Sequence, residues 1–207
     1  MTKIKLCGMM REEDIKAANK AKPDYIGFIF ADFDRHYLTR EKAADLKKLL
    51  DPSILAVGAF VDAPVEMVIE RLNSGLIDVA QLHGKEDHAY VQKVKEETGK
   101  TVLKSMGVTG PESIAEILQS NADFILLDTP GGCTGKQFDW SLLKNINRPF
   151  FLAGGLNEEN VQEAVKKFHP YAVDISSGAE TNKQKDPEKM KRLVQLVRGT
   201  DTYKEEK

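Results

Sequence analysis

The chain has 207 residues, 41% of them hydrophobic and 30% charged, with 30 Lys and Arg against 32 Asp and Glu. That length and apolar content suit one domain with a sizeable core and exclude a disordered chain, and the near-neutral balance excludes the basic surface of a general nucleic-acid binder. Two cysteines make neither a disulfide framework nor a zinc motif, no apolar run approaches the roughly 20 residues of a membrane span, and the start of the chain carries no signal-peptide stretch, so a reducing, cytoplasmic setting is expected.

In chain order, a first apolar run at 4–7 ends in Cys7 and Gly8, and a helical pattern at 11–22 follows with Ile15, Ala18 and Ala21 on one side. A second run at 25–30 leads through Asp32, Asp34, Arg35 and His36 to a helix at 40–50. A third at 54–60 precedes Asp62 and a helix at 64–72 with Pro64 at its first position. The fourth, 79–83, contains Gln81 and ends at His83, before a helix at 87–98 that Gly99 stops. The fifth, 101–106, holds Lys104 and Ser105 near its end and precedes a helix at 111–119. The sixth, 124–128, ends in Asp128 and enters a glycine-rich loop with Cys133, Thr134 and Gly135; the helix after it, 141–145, is short. The seventh, 150–153, ends in Gly154 and Gly155 ahead of a helix at 157–168 capped by Asn157. The eighth, 172–176, gives Asp174 and Ser176, then Ser177 and Gly178, and the last helix runs 186–198 to Gly199.

These runs are continuously apolar, as strands buried on both faces of a parallel sheet are, and their spacing of about 24 residues leaves room for one crossover helix each. Eight such units with no break in composition predict an α/β fold, a single (β/α)8 TIM barrel of near-minimal length over 1–199, with a polar tail at 200–207; an open doubly wound sheet is the rival.

The C-terminal strand ends are where such a barrel places its chemistry, and here polar residues and glycine collect there. Gly154 and Gly155, with Ser177 and Gly178 after the next strand, read as a phosphate cradle of backbone amides or as ordinary tight turns. Cys7 reads as a small buried hydrophobe or, at a strand end before glycine, as a base or nucleophile. Asp128 closes an apolar run, where desolvation raises a carboxyl pKa and suits a general acid; a loop cap is the other reading. Arg35 is the candidate for a bidentate carboxylate contact, or a solvated loop residue. His83 bonds a ligand or its neighbouring backbone, Cys133 is a loop residue, and Lys104 binds an anion or, the favoured reading, snorkels from the rim into solvent.

With these residues in view, the sequence resembles the phosphoribosylanthranilate isomerase family of tryptophan biosynthesis. The resemblance rests on Lys5-Leu6-Cys7-Gly8, Tyr25 to Phe30, Val79 to Gly84, Leu126 to Asp128, Thr134 to Trp140, Leu152 to Asn157 and Val173 to Glu180, in order along nearly the whole chain. It implies an Amadori rearrangement of a phosphorylated small molecule needing no metal or organic cofactor, in a monomer or homodimer without nucleic-acid or membrane partners. It further implies Cys7 as general base, Asp128 as general acid, phosphate on Gly154, Gly155, Ser177 and Gly178, and Arg35 on the anthranilate carboxylate with His83 and Asp174 nearby. Two departures stand out: His36 competes with Arg35 for the carboxylate position, and Cys133 stands where the family's loop usually has glycine. A related phosphosugar isomerase of histidine biosynthesis, expected to carry aspartate where Cys7 stands, and a non-catalytic phosphometabolite-binding barrel are the alternatives.

Overall fold

A computed structural model describes residues 1–129 and 138–201. Cys133 and Thr134, and positions 202–207 of the expected tail, therefore lie outside the described residues. Strands β1 (Lys3–Cys7), β2 (Tyr25–Ile29), β3 (Leu55–Phe60), β4 (Val79–Leu82), β5 (Thr101–Gly107), β6 (Phe124–Asp128), β7 (Phe150–Leu152) and β8 (Ala172–Ile175) run parallel and close in chain order, with β8 paired to β1. The barrel is thus closed, and the open sheet is excluded. Around it lie α1 (Glu12–Ala21), α2 (Arg40–Leu49), α3 (Val65–Asn73), α4 (His88–Thr98), α5 (Pro111–Gln119), α6 (Val161–Phe168) and α7 (Pro187–Asp201). A short hairpin, β9 (Glu180–Thr181) and β10 (Gln184–Lys185), follows β8.

Successive strand side chains point to opposite faces, so each continuous apolar run serves two cores. Ile4, Leu6, Ile26, Phe28, Ala80, Leu82, Ile125, Leu127 and Val173 join the helices in one outer apolar cluster. The alternate residues Tyr25, Val57, Val79, Leu103, Leu126, Phe151 and Ala172 form a separate cluster inside the barrel. Two positions further along the same inner face stand Gln81 after Val79, Ser105 after Leu103, Asp128 after Leu126 and Asp174 after Ala172. The interior is therefore apolar low in the barrel and polar toward the C-terminal rim, which positions the site.

Several helix limits differ from the sequence expectation, each for a local reason. Asn160, not Asn157, stands at the start of α6; its Oδ1 accepts from Asn157 N at 2.9 Å and its Nδ2 donates to the Gly155 carbonyl at 2.9 Å, so a turn separates the glycines from the helix. Pro64 is the residue before α3 rather than within it, its ψ of 133° being extended. Between β6 and β7 the crossover carries a 3-10 helix, Trp140–Asn145, begun by Asp139 accepting from Ser141 N at 2.9 Å. Ile146, extended at φ −90° and ψ 112°, ends the segment and donates its N–H to the Leu143 carbonyl. Gly199 does not stop α7, which continues to Asp201 with the Thr200 hydroxyl bonded back to the Leu196 carbonyl at 2.7 Å. Asp87, expected as the first residue of α4, caps it instead and accepts from Tyr90 N at 2.8 Å, while Gly99 stops it as expected, in a left-handed turn at φ +62°.

Candidate active site

The rim is assembled from strand ends and from the loops after β2, β7 and β8. Cys7 ends β1 and is buried, its sulfur lying over Gly27 of β2: a Cβ on that glycine would fall 2.6 Å from Sγ. Burial pushes the Cys7 thiol pKa up, the facing Lys5 ammonium opposes this, and the Asp174 carboxylate adds to it. Lys5 is itself fully buried and donates from Nζ to Asp174 Oδ2 at 2.7 Å. Burial pulls its pKa down, but Asp174 and Cys7 outweigh that and hold it above the usual lysine value.

Asp128 ends β6. Its Oδ1 accepts from Thr129 N at 2.7 Å, and a Cβ on Gly154 of the next loop would lie 3.1 Å from that oxygen. Burial raises the Asp128 carboxyl to about 6, with Asp174 pushing the same way and the Thr129 hydrogen bond and Lys5 resisting. His83, just past β4, points Nε2 toward Asp128 Oδ2 at 3.8 Å and keeps Nδ1 3.2 Å from Gln81 Nε2, which also donates to Ser105 Oγ at 3.2 Å. Burial lowers the His83 pKa, with the Lys5 charge acting in the same direction, so its ring is neutral at neutral pH. Asp174 Oδ1 and Gln81 Oε1 are buried acceptors with no hydrogen-bond partner among the described residues. Buried acceptors are normally satisfied, so a ligand bringing hydroxyl or N–H donors suits this rim.

The loops after β7 and β8 meet. Gly154 and Gly155 take left-handed backbone at φ +85° and +66°. Gly178 sits so close to the β7 loop that a Cβ on it would fall 2.0 Å from the Leu156 carbonyl oxygen. Ser177 and Gly178 lie in a three-residue 3-10 turn, Ser177–Ala179. The four residues expected to hold phosphate are thus on two loops in backbone contact.

Arg35 and His36 divide differently. Arg35 is exposed; it pairs with Glu180 Oε2 and donates to the Lys183 carbonyl at 2.9 Å, and its other guanidinium N–H groups have no hydrogen-bond partner among the described residues. His36 is buried against Gly8, with Nδ1 3.0 Å from Asp34 Oδ1 and Nε2 3.0 Å from Glu180 Oε1, so both ring nitrogens are engaged. Lys185 reaches the same Glu180 oxygen at 2.7 Å and the Ser176 carbonyl at 2.9 Å. Burial acts to raise the Glu180 pKa, but hydrogen bonds from Lys185 and Arg35 bring it down to about 2.

Lys104 does not reach solvent as the sequence suggests. It is buried and donates to Glu86 Oε2 at 2.7 Å and to the Gly84 carbonyl at 2.6 Å, because Glu86 supplies a buried counter-charge. Sequence reasoning singled out neither Lys5 nor the Glu180 and Lys185 pair. The signal for Lys5 was its place two residues before Cys7 on the same strand face; the hairpin pair left no such pattern.

Comparison with known proteins agrees with this architecture. The family model for N-(5'-phosphoribosyl)anthranilate (PRA) isomerase matches residues 4–196. The N-(5'-phosphoribosyl)anthranilate isomerase of Endomicrobium trichonymphae is 45% identical over 203 residues, covering 96% of this chain and 100% of that one. The crystal structure of phosphoribosyl anthranilate isomerase from Thermotoga maritima superposes with a TM-score of 0.88 at 31% identity, covering 96% of this chain and 100% of that one. A phosphoribosyl anthranilate isomerase solved in complex with reduced 1-(o-carboxyphenylamino)-1-deoxyribulose 5-phosphate superposes at 0.85 with 31% identity and the same coverage, 96% and 100%. Matched over nearly its whole length in sequence and in backbone, the chain belongs to the N-(5'-phosphoribosyl)anthranilate isomerase family and is an isomerase of tryptophan biosynthesis.

Proposed function

We propose that the chain converts N-(5-phosphoribosyl)anthranilate to 1-(2-carboxyphenylamino)-1-deoxyribulose 5-phosphate with Asp128 as general acid and Cys7 as general base. The observation that carries this reading is the Asp128 carboxyl, buried at the end of β6 and raised to about 6, on the same inner rim as the Cys7 thiol. A carboxyl of that kind keeps a proton to give near neutral pH.

Asp128 donates its proton to the ribose ring oxygen. The C1'–O bond breaks, its electron pair stays on oxygen as a hydroxyl, and the anilino nitrogen lone pair forms the C1'=N iminium. The iminium acidifies the C2' hydrogen. The Cys7 thiolate takes that proton, the C2'–H pair becomes the C1'=C2' bond, and the iminium π pair returns to nitrogen. The enolamine then tautomerises to the ketone. Gly154, Gly155, Ser177 and Gly178 cradle the phosphate, where two glycine-bearing loops meet backbone to backbone. Arg35 takes the anthranilate carboxylate; its unused N–H groups suit this, whereas His36 has both ring nitrogens committed. Asp174 Oδ1, lacking a donor, accepts from the substrate, and neutral His83 stands beside the acid. The chemistry needs Cys7 as a free thiol, which fits a reducing cytoplasm.

The test is a fluorescence assay of substrate consumption. Cys7→Ala and Asp128→Asn are each expected to lower kcat by roughly two orders of magnitude or more while substrate still binds. Near-normal turnover by either variant overturns the role given to that residue.

A further inference from the structure

Lys5 takes no part in the proton transfers above, yet it is fully buried inside the barrel. An ammonium there is costly unless it is paired, and a well-packed apolar pair of similar volume would generally serve stability as well or better. Packing alone therefore does not account for it. Its partner Asp174 is its register neighbour across the β1–β8 seam, so the backbone pairing that closes the barrel also sets the ion pair. Lys5 and Cys7 stand two residues apart on the inner face of β1, which places the ammonium within the field of the sulfur. Among the described residues, the charged groups that act most on that sulfur are Lys5 from its own strand, Asp174 from β8 and Lys185 from the hairpin. β2 contributes Gly27, which brings no charge. Across the barrel, Asp128 and His83 also feel Lys5.

We propose that Lys5 is a positioning residue for the base: its ammonium, gripped by Asp174 across the seam, is the counter-charge that lets the Cys7 sulfur carry negative charge inside the barrel. This rests on the reading of Cys7 as the base. The ammonium has three donors and spends one on Asp174, leaving others for the sulfur. Without Lys5, burial and the Asp174 carboxylate would both keep the thiol protonated. Once the thiolate has taken the substrate proton, the sulfur is neutral and Lys5 remains balanced by Asp174 alone.

The test reads the thiolate directly. The ultraviolet thiolate absorbance of the substrate-free full chain, minus that of its Cys7→Ser variant, isolates the Cys7 titration. Lys5→Met, with and without Cys7→Ser, is expected to raise the midpoint by about one pH unit or more, so about tenfold less thiolate is present at a given pH below it. Asp174→Asn, which keeps shape and a hydrogen-bond acceptor for Lys5, is expected to lower it. In turnover, Lys5→Met loses about tenfold or more in kcat/KM between the two midpoints, its alkaline limb moves up with the thiol midpoint, and it converges with the parent only above the parent's thiol midpoint; a lysine needed only for packing would lose activity equally at every pH. Circular dichroism establishes folding, and if Lys5→Met does not fold, the isosteric Asp174→Asn decides. A Cys7 midpoint unmoved in folded Lys5→Met, or in Asp174→Asn where that variant decides, overturns the proposal and leaves the base assignment standing. Near-normal turnover by Cys7→Ala overturns the base assignment itself, whatever Lys5 does.

Discussion

The sulfur of Cys7 occupies the place where a side chain of Gly27 would be: a Cβ on Gly27 would lie 2.6 Å from Sγ and 3.1 Å from the Cys7 Cα. Gly27 is the register partner of Cys7 on the neighbouring strand. The glycine thus sets where the thiol sits. Gly27→Ala is expected to lower kcat about tenfold to a hundredfold by displacing the sulfur, and to cost about 1–3 kcal/mol by overpacking. Cys7→Ala removes the clashing atom, so Gly27→Ala in that background should cost clearly less. Urea unfolding of the four proteins in this cycle checks it, and equal costs in both backgrounds would refute the account.

Asp128 carries a stability penalty with a definite sign. Its folded pKa of about 6 stands above the ordinary 3.8, so the folded protein binds that proton more tightly than the unfolded chain. Stability is therefore lost as pH rises from about 4 to about 6 and stays lost above. Asp128→Asn is expected to be more stable than the parent by about 2 kcal/mol near pH 7.5, with the difference vanishing below about pH 4, by denaturant unfolding at each pH. The rate profile follows from the same groups. On the proposed mechanism the competent form has Asp128 protonated and Cys7 ionised, although the thiol, raised by burial, has the higher pKa. The kcat/KM profile should be a bell with its acidic limb near 6, and the residual activity of Asp128→Asn should rise with pH up to the thiol midpoint without falling beyond it.

Glu180 joins Arg35, His36 and Lys185 beside the rim. Glu180→Gln leaves the buried Lys185 without its carboxylate and is expected to destabilise the fold by about 2–4 kcal/mol at neutral pH. The folded pKa of about 2 lies below the ordinary 4.5, so this contribution is complete above about 4.5 and fades as pH falls toward about 2. The gap between parent and variant in thermal or denaturant unfolding should therefore narrow on acidification. A gap constant with pH would show that packing, not charge, holds the hairpin.

Gly178 has backbone, not a flexible side chain, in the way of any Cβ: the Leu156 carbonyl oxygen would lie 2.0 Å from it. Gly178→Ala must separate the loops after β7 and β8. If these loops hold the phosphate as proposed, the expected result is a KM raised about tenfold or more with a smaller change in kcat, since a phosphate remote from the reacting atoms is bound alike in ground and transition states. Steady-state kinetics distinguish this from a loss confined to kcat, which would count against a phosphate cradle there.

The sequence by itself determined the architecture and the rim. Eight apolar runs with crossover-length spacing allow few folds, and residues such as Asp128 and Gly154 mark strand ends by their chemistry alone. The same local information placed the stop at Gly99, where the bonding partner lies within a turn. It began two helices too early, at Asn157 and Pro64, and ended one too early, at Gly199; bonds and backbone angles within a turn set these limits, and apolar periodicity does not resolve them. Closure was a matter of tertiary structure: β8 pairs with β1 only when the whole sheet has curled, and no local pattern encodes a bond between residues at opposite ends of the chain. The environment of the thiol belongs to that closure. Lys5 and Asp174 are 169 positions apart in sequence and 2.7 Å apart at Nζ and Oδ2. Likewise Lys104 reads from sequence as a solvent-seeking lysine and is buried, because Glu86 is brought to it from another loop. Charge states depend on distance and burial, and both are set by the fold; the identity of the groups is set by the chain.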